Sequence, residues 1–339
     1  MRFGLVPVAE AIGALAAHSV RAGTTMVKKG TLVTPEIAMQ LKQAGVERLI
    51  AARFEPGDVS EDEAAWRLAQ SLAGENVVAE APFTGRSNLH AKASGMLLID
   101  VDTINGFNAV DEAMTVATLP AYKPVIVGEM VGTVKIIPYA IPEILLQNGL
   151  VAIGREALRI APYARCSVGL VSTVLPGLKP SVIDKTVAVL ARRLKPANAR
   201  IVRDCRVSHD AAVLAQELSD LAEGDTQLII VFGASAIADR RDVIPSAIEM
   251  AGGRVEHFGM PVDPGNLLLV GSIAGKPVIG APGCARSPKE NGFDWILHRL
   301  LADIPVTRAD IMSLGVGGLL MEIVSRPQPR EGGESEAEE

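Results

Sequence analysis

The sequence predicts an α/β protein: a three-layer, doubly wound, mostly parallel sheet over residues 156–326, preceded by a smaller mixed α/β and β-rich region over residues 1–155. Three observations predict it. From about Tyr163, short apolar runs alternate with helix-length amphipathic segments, which is the pattern of parallel strands covered by helices on both faces. Before that point the apolar runs are short, rich in β-branched residues and broken by Gly, Asn or Pro. With 339 residues, 48% of them hydrophobic, and a mean hydropathy of +0.27, the chain can bury substantial cores in two or three domains.

The elements follow in order. PVAEAIGALAAHSV predicts a short helix leading into a strand, and GTLVTPEIAMQLKQAGVERLIAAR a helix over 35–43, a turn at Gly45 and a strand over 46–51. In VSEDEAAWRLAQSLAGE, Ser60 and Glu63 stand at capping-box spacing, Trp66, Leu68 and Leu72 form an apolar face, and Gly74 is expected to close the helix. VVAEA, GMLLIDV, VIVGEMV and TVKIIPYAI predict a β-rich module over 76–142, and EILLQNGLVAIGREALRIA a connecting helix into the next domain. There the regular alternation begins. CSVGLVSTV, ARIVRDCRV and QLIIVFG read as strands, SVIDKTVAVLARRL and SHDAAVLAQELSDLAEG as helices, the second with Ser208 as its cap. VIPSAIEMAGG, the pair LLLVGSIAG and KPVIGAPG, and NGFDWILHRLLADI complete the domain.

Charge and cysteine usage exclude several function classes. The net charge is -6, and five glutamates fall in EGGESEAEE after Arg330, so the remainder is close to neutral and lacks the basic surplus that nucleic-acid binding needs. That acidic tail, over 327–339, is expected to be disordered. MRFGLVPVAE lacks the basic segment and apolar core of a signal peptide, and no apolar run reaches membrane-spanning length, so a cytoplasmic protein without a membrane partner is expected. Cys166, Cys205 and Cys284 are widely spaced and read as reduced thiols, and His18, His90, His209, His257 and His298 form no metal-binding pair. Each histidine is expected to be structural or exposed.

Three strands of the second half end in distinctive loops: TVLPGLKPSVIDKT, FGASAIADRRD and APGCARSPKENG. Ligands of a parallel sheet sit at the carboxyl ends of its strands, where glycine admits close backbone approach and helix amino termini attract anions. The chemistry fits an anionic ligand. Read locally, FGASAIADRRD is equally a strand-to-helix turn in which Arg240 and Arg241 are solvated and Asp242 caps the helix. In GRSNLHAK, the cluster Arg86, Ser87, Asn88, His90 and Lys92 reads as an exposed β-loop, and LGVGGLL as a glycine-rich turn without chemistry.

These loops resemble the molybdopterin-binding domain shared by molybdenum-cofactor biosynthesis proteins, including the molybdate insertase. That family ends its central strand in Thr/Ser-Gly-Gly-x-Ser followed by an aspartate; here Gly233, Ala234 and Ser235 match, Phe232 stands for the first glycine, and Asp242 falls at the aspartate. The family's Pro-Gly-Lys-Pro turn is matched by Pro264 and Gly265 with Asn266 for the lysine, and its Leu-Pro-Gly-Asn-Pro loop by Pro282 and Gly283 with Cys284 for the asparagine. Asp184, with Lys185 and Thr186 beside it, aligns with an aspartate at the start of the family's first helix, and Thr173 opens the loop before it. In the front half, EDEAAWRLAQSLAG, FTGRSNLHAKASGMLLID, ATLP and GTVKIIPYAIP are similar to a subgroup of these proteins, which extends the resemblance to about Arg326. The insertase's Ser-x-Met-Asp-Gly-Tyr-Ala segment does not occur.

The resemblance implies binding of molybdopterin or its nucleotide form, with Asp184 and Asp242 as catalytic candidates and Thr173, Lys185, Thr186, Gly233, Ala234, Ser235, Pro264, Gly265, Pro282 and Gly283 as cofactor-binding candidates. An enzyme that adenylylates the pterin or inserts molybdate is the second reading; it requires magnesium held by carboxylates, for which Asp184, Asp239 and Asp242 are placed. A non-catalytic scaffold that kept the fold is the third. A homo-oligomer is expected, together with a separate nucleotidyltransferase or a molybdoenzyme as partner.

Overall fold

The computed structural model describes residues 1–320, so the expected acidic tail lies outside the described residues. The chain divides into two units, one of Met1–Ala93 with Leu97–Ile160, the other of Ser94–Met96 with the chain from Ala161 onward.

The first unit begins with β1 (Arg2–Pro7), paired antiparallel after an intervening helix with β2 (Arg48–Arg53). That helix, α1 (Pro35–Gln43), starts where predicted: the Thr34 hydroxyl accepts from the Ile37 N–H at 3.3 Å, and Pro35 occupies a first-turn position whose missing N–H costs nothing. The helix expected in PVAEAIGALAAHSV is replaced by a 3-10 turn, Val8–Glu10, and short strands at Leu15–Ala16 and Val20–Ala22. α2 (Glu61–Leu72) is capped by the Ser60 hydroxyl and buries Ala64, Ala65, Leu68, Ala69 and Leu72. It is followed by β3 (Val77–Ala79), β4 (Arg86–Ala91), α3 (Val101–Asn108), β5 (Met114–Thr118), β6 (Met130–Ile136) and α4 (Glu143–Ile153). The four strands form a sheet in the order β5-β6-β4-β3. The helix α3 falls within the span read as β-rich: VDTINGFN is poor in strong helix formers, yet the Asp100 carboxylate accepts from the Thr103 N–H at 3.0 Å, and Ile104 and Phe107 anchor the helix in the core.

The second unit is a mixed α/β fold with a mostly parallel six-stranded sheet. Its elements are β7 (Ser167–Val174), α5 (Pro180–Leu194), β8 (Arg200–Ser208), α6 (Ala211–Glu223), β9 (Leu228–Phe232), α7 (Val243–Met250), β10 (Arg254–Phe258), β11 (Leu269–Ile273), β12 (Lys276–Ala281) and α8 (Gly292–Leu301). The sheet order is β8-β7-β9-β12-β11-β10, with β8, β7, β9 and β12 parallel and the β10–β11–β12 side antiparallel. Every residue of the central strand β9 is buried, as its unbroken LIIVF requires. Its alternation sorts the two faces: Leu228, Ile230 and Phe232 pack with residues of α5 and α8, while Ile229 and Val231 pack with residues of α6 and α7. Asp210, not Ser208, caps α6, its carboxylate accepting from Ala212 and Val213 N–H groups, because β8 runs on through Ser208.

Candidate functional site

Register brings the distinctive loops to one edge. Ser172, Phe232 and Ala281 lie in one row across β7, β9 and β12, and Val174 lies beside Ser208 at the end of β8, so the chain leaves all four parallel strands on the same side. The segment between β10 and β11 also reaches that edge, since Leu269 pairs with both Phe258 and Gly280.

A chain of hydrogen bonds links three of these strand ends. Thr173, 1% exposed, accepts from the Ala234 N–H at 2.8 Å, and its Oγ1 lies 2.8 Å from His209 Nδ1; His209 Nε2 lies 3.1 Å from Ser235 Oγ. The Ala234 amide can only donate. No other acceptor for the Thr173 hydroxyl hydrogen is present among the described residues, so the network assigns that hydrogen to His209 Nδ1. The neutral imidazole then carries its hydrogen on Nε2 and donates to Ser235 Oγ, which leaves the exposed Ser235 O–H free to donate outward. Gly233 makes the turn into this loop possible: a Cβ there would come within 2.5 Å of the Ser235 carbonyl oxygen.

On the α5 and α8 side of the same edge sits Arg286, in the 3-10 turn Gly283–Arg286. Its guanidinium donates to Thr186 Oγ1 at 3.0 Å and to the Gly233 carbonyl at 2.8 Å, and lies 5.1 Å from the centre of the Phe232 ring. All three partners are neutral. It has no ion pair among the described residues, and burial holds its pKa below the ordinary arginine value. Beside Phe232, Ser172 is buried, and its hydroxyl has no hydrogen-bond partner among the described residues.

The remaining predicted site residues divide. Thr186 joins Arg286, but Asp184 and Lys185 are exposed on α5, and the Asp184 carboxylate accepts from Arg206 at 2.7 Å. Asp242 caps α7, accepting from Val243 N–H at 2.8 Å and Ala238 N–H at 3.1 Å, while Asp239 pairs with Arg241 at 2.7 Å. Pro264 and Gly265 pack on the start of α8, where the Pro264 carbonyl accepts from Gly292 N–H at 2.9 Å, and the Asn266 amide is committed to the Met260 carbonyl. Pro282 is buried, Gly283 is exposed with open space around it, and burial pushes the Cys284 thiol up, which keeps it protonated. Among the described residues no group of three or more His, Cys, Asp and Glu side chains is placed to hold a metal ion.

Sequence reasoning missed His209 and Arg286. His209 follows directly on β8, so its position beyond a strand end was the available signal; nothing in APGCARSPKENG marks Arg286 as buried without a counter-charge.

Comparison with known proteins adds little. Residues 5–53 match the model of a domain of unknown function, DUF8806. No curated protein matches the chain. Among solved structures, the molybdopterin biosynthesis moea protein from Pyrococcus horikosii is 15% identical, with 89% of this chain and 75% of that chain covered and a TM-score of 0.32.

Proposed function

We propose that the second unit binds, without transforming it, a phosphate-bearing ligand of the molybdopterin class at the edge formed by the ends of β7, β8, β9 and β12. The observation that carries this reading is Arg286: a half-buried guanidinium with only neutral partners and three further N–H groups to offer. Desolvating an uncompensated cation is costly, and a bound phosphate supplies the missing charge. Ser235, turned into an outward donor by His209, suits an acceptor such as a phosphate or pterin carbonyl oxygen. The pterin class itself rests on the sequence resemblance of the three loops. Binding is favoured over adenylylation or molybdate insertion because Asp184, Asp239 and Asp242 are each engaged with arginine or backbone N–H groups. The test is calorimetric titration with purified molybdopterin and its adenylylated form. Wild type should bind, and Arg286→Lys, which keeps the charge but loses the planar fork, should bind about tenfold more weakly, the equivalent of about 1.4 kcal/mol. Equal affinity of the two proteins would overturn the assignment.

A further inference from the structure

The first unit carries an unassigned cationic cleft. Along β4, Ser87, Leu89 and Ala91 face the core, so Arg86, Asn88 and His90 face outward. β6 sets Thr133 opposite Asn88 and Lys135 directly opposite Arg86. Like charges in directly opposed positions of an antiparallel pair repel at close range. Among the described residues no carboxylate forms an ion pair with either. Glu80 Oε2 accepts from the Asn88 amide at 3.2 Å and lies 3.3 Å from His90 Nε2, and Arg86 makes no ion pair among the described residues. Burial pushes the nearby Glu61 carboxyl up while the charges of Lys135 and Lys29 pull it down, so Glu61 answers Lys135 in part and leaves Arg86 without a carboxylate partner among the described residues.

The turn that leads into β4 is held rigid at a conformational cost. Thr84 and Gly85 take φ values of 50° and 70° between Phe83 and Arg86, whose backbones bond to each other in both directions. A β-branched residue at positive φ is strained where asparagine or glycine sits freely. The turn is nevertheless clamped: Asp62 accepts from the Gly85 N–H at 2.6 Å, the Ile136 N–H donates to the Gly85 carbonyl at 2.8 Å, and Lys135 donates to the Thr84 carbonyl. At its base Phe83 is 76% exposed, beside a cleft of about 520 Å³ that Glu80, Thr84, Arg86, Asn88 and Lys135 also line, the Glu80 carboxylate lying on the side of Asn88 and His90. That volume lies within the range of small-ligand sites.

We propose that this cleft binds a phosphorylated planar heterocycle of mononucleotide size, its phosphate between Arg86 and Lys135 and its ring against Phe83. The anion relieves the Arg86–Lys135 repulsion, and the ring covers the exposed phenyl group. Thr84 and Asn88 supply the neutral polar contacts. The site is independent of Arg286 and of the ligand proposed there.

The probe is adenosine 5′-monophosphate, titrated by calorimetry into the full chain, with adenosine and inorganic phosphate as separate arms. Wild type should bind the nucleotide more tightly than either fragment. Arg86→Gln should weaken nucleotide and phosphate binding by at least about tenfold while raising the melting temperature of the free protein, because it removes the opposed charge. A purely structural arginine could not give that combination. Phe83→Ala should cost about tenfold for the nucleotide and leave phosphate unchanged. Arg286→Ala should leave all three titrations unaltered. Absence of nucleotide binding at millimolar concentration, nucleotide affinity unchanged by Arg86→Gln or Phe83→Ala, or loss of binding in Arg286→Ala would each overturn the proposal.

Discussion

Thr173→Val tests the direction of the hydrogen-bond chain that joins three strand ends. The substitution keeps the side chain's shape in a position 1% exposed but removes the oxygen that accepts from Ala234 N–H and lies 2.8 Å from His209 Nδ1. The two losses are unequal. The partly buried Ala234 amide loses the acceptor that pairs it, whereas the His209 ring is partly exposed and can turn to water. With a buried donor costing about 1–3 kcal/mol and the histidine little, the second unit should lose about 2 kcal/mol. The chain has two tryptophans, Trp66 in the first unit and Trp295 in the second, so a Trp66→Phe background lets Trp295 emission follow urea unfolding of the second unit alone. Nitrogen chemical shifts of the His209 ring give the second readout: the hydrogen should reside on Nε2 in the wild type and lose that fixed placement in Thr173→Val. A wild-type ring protonated on Nδ1, or an unchanged urea midpoint, would falsify the assignment of Ser235 as an outward donor.

Two further outcomes are expected. Asp242→Ala should destabilise the second unit by about 1 kcal/mol through loss of the α7 cap, while Asp242→Asn, which keeps one of the two accepting oxygens and sets an NH2 against the other donor, should cost less than the alanine and leave ligand affinity within experimental error, as urea unfolding and calorimetry will read. His298 is half-buried, its Nδ1 lies 2.8 Å from the Tyr163 hydroxyl, and burial lowers its pKa from 6.5, so below pH 6.5 the unfolded chain takes up a proton that the folded chain refuses. Stability is therefore fully present above pH 6.5 and falls as pH falls below it, by about 1.4 kcal/mol for each unit of depression. His298→Gln should flatten that fall in urea midpoints measured from pH 7.5 to pH 5; an equal slope would assign it elsewhere.

What was legible in the sequence is what local physics determines. LIIVF has to be buried on both faces, and the alternation around it sets parallel strands under helices. Thr34 and Ser60 announce helix starts because a cap needs only residues three positions apart. The short α3 was illegible because its stability comes from Ile104 and Phe107 in a distant core, not from its own propensities, and β10 because RVEHF becomes a strand by pairing with β11. The same distinction holds at the site. Glycines and serines at strand ends pointed to the edge, but Thr173, His209 and Ser235 converge only after register is set, and an arginine's missing counter-ion is visible only once its surroundings are known.

The two proposed sites share one energetic trait, and it makes a common forecast. Among the described residues, the second unit keeps a half-buried guanidinium without an anion and an unpartnered buried hydroxyl at Ser172; the first keeps opposed like charges and a threonine at positive φ. Each of these carries a cost in the free state, and in the first unit the cost is avoidable: glutamine at 86 or asparagine at 84 would satisfy the same backbone. A group that costs stability in the free state and gains partners in the bound state couples folding to ligand. A ligand that binds only the folded form stabilises it by about 2.7 kcal/mol at a hundredfold excess over its dissociation constant, so each ligand should raise the unfolding midpoint of the unit that holds it. With Trp66 and Trp295 as separate reporters, adenosine 5′-monophosphate should shift only the first and molybdopterin only the second. A shift of both by either ligand, or of neither, contradicts the assignment of one anion site to each unit.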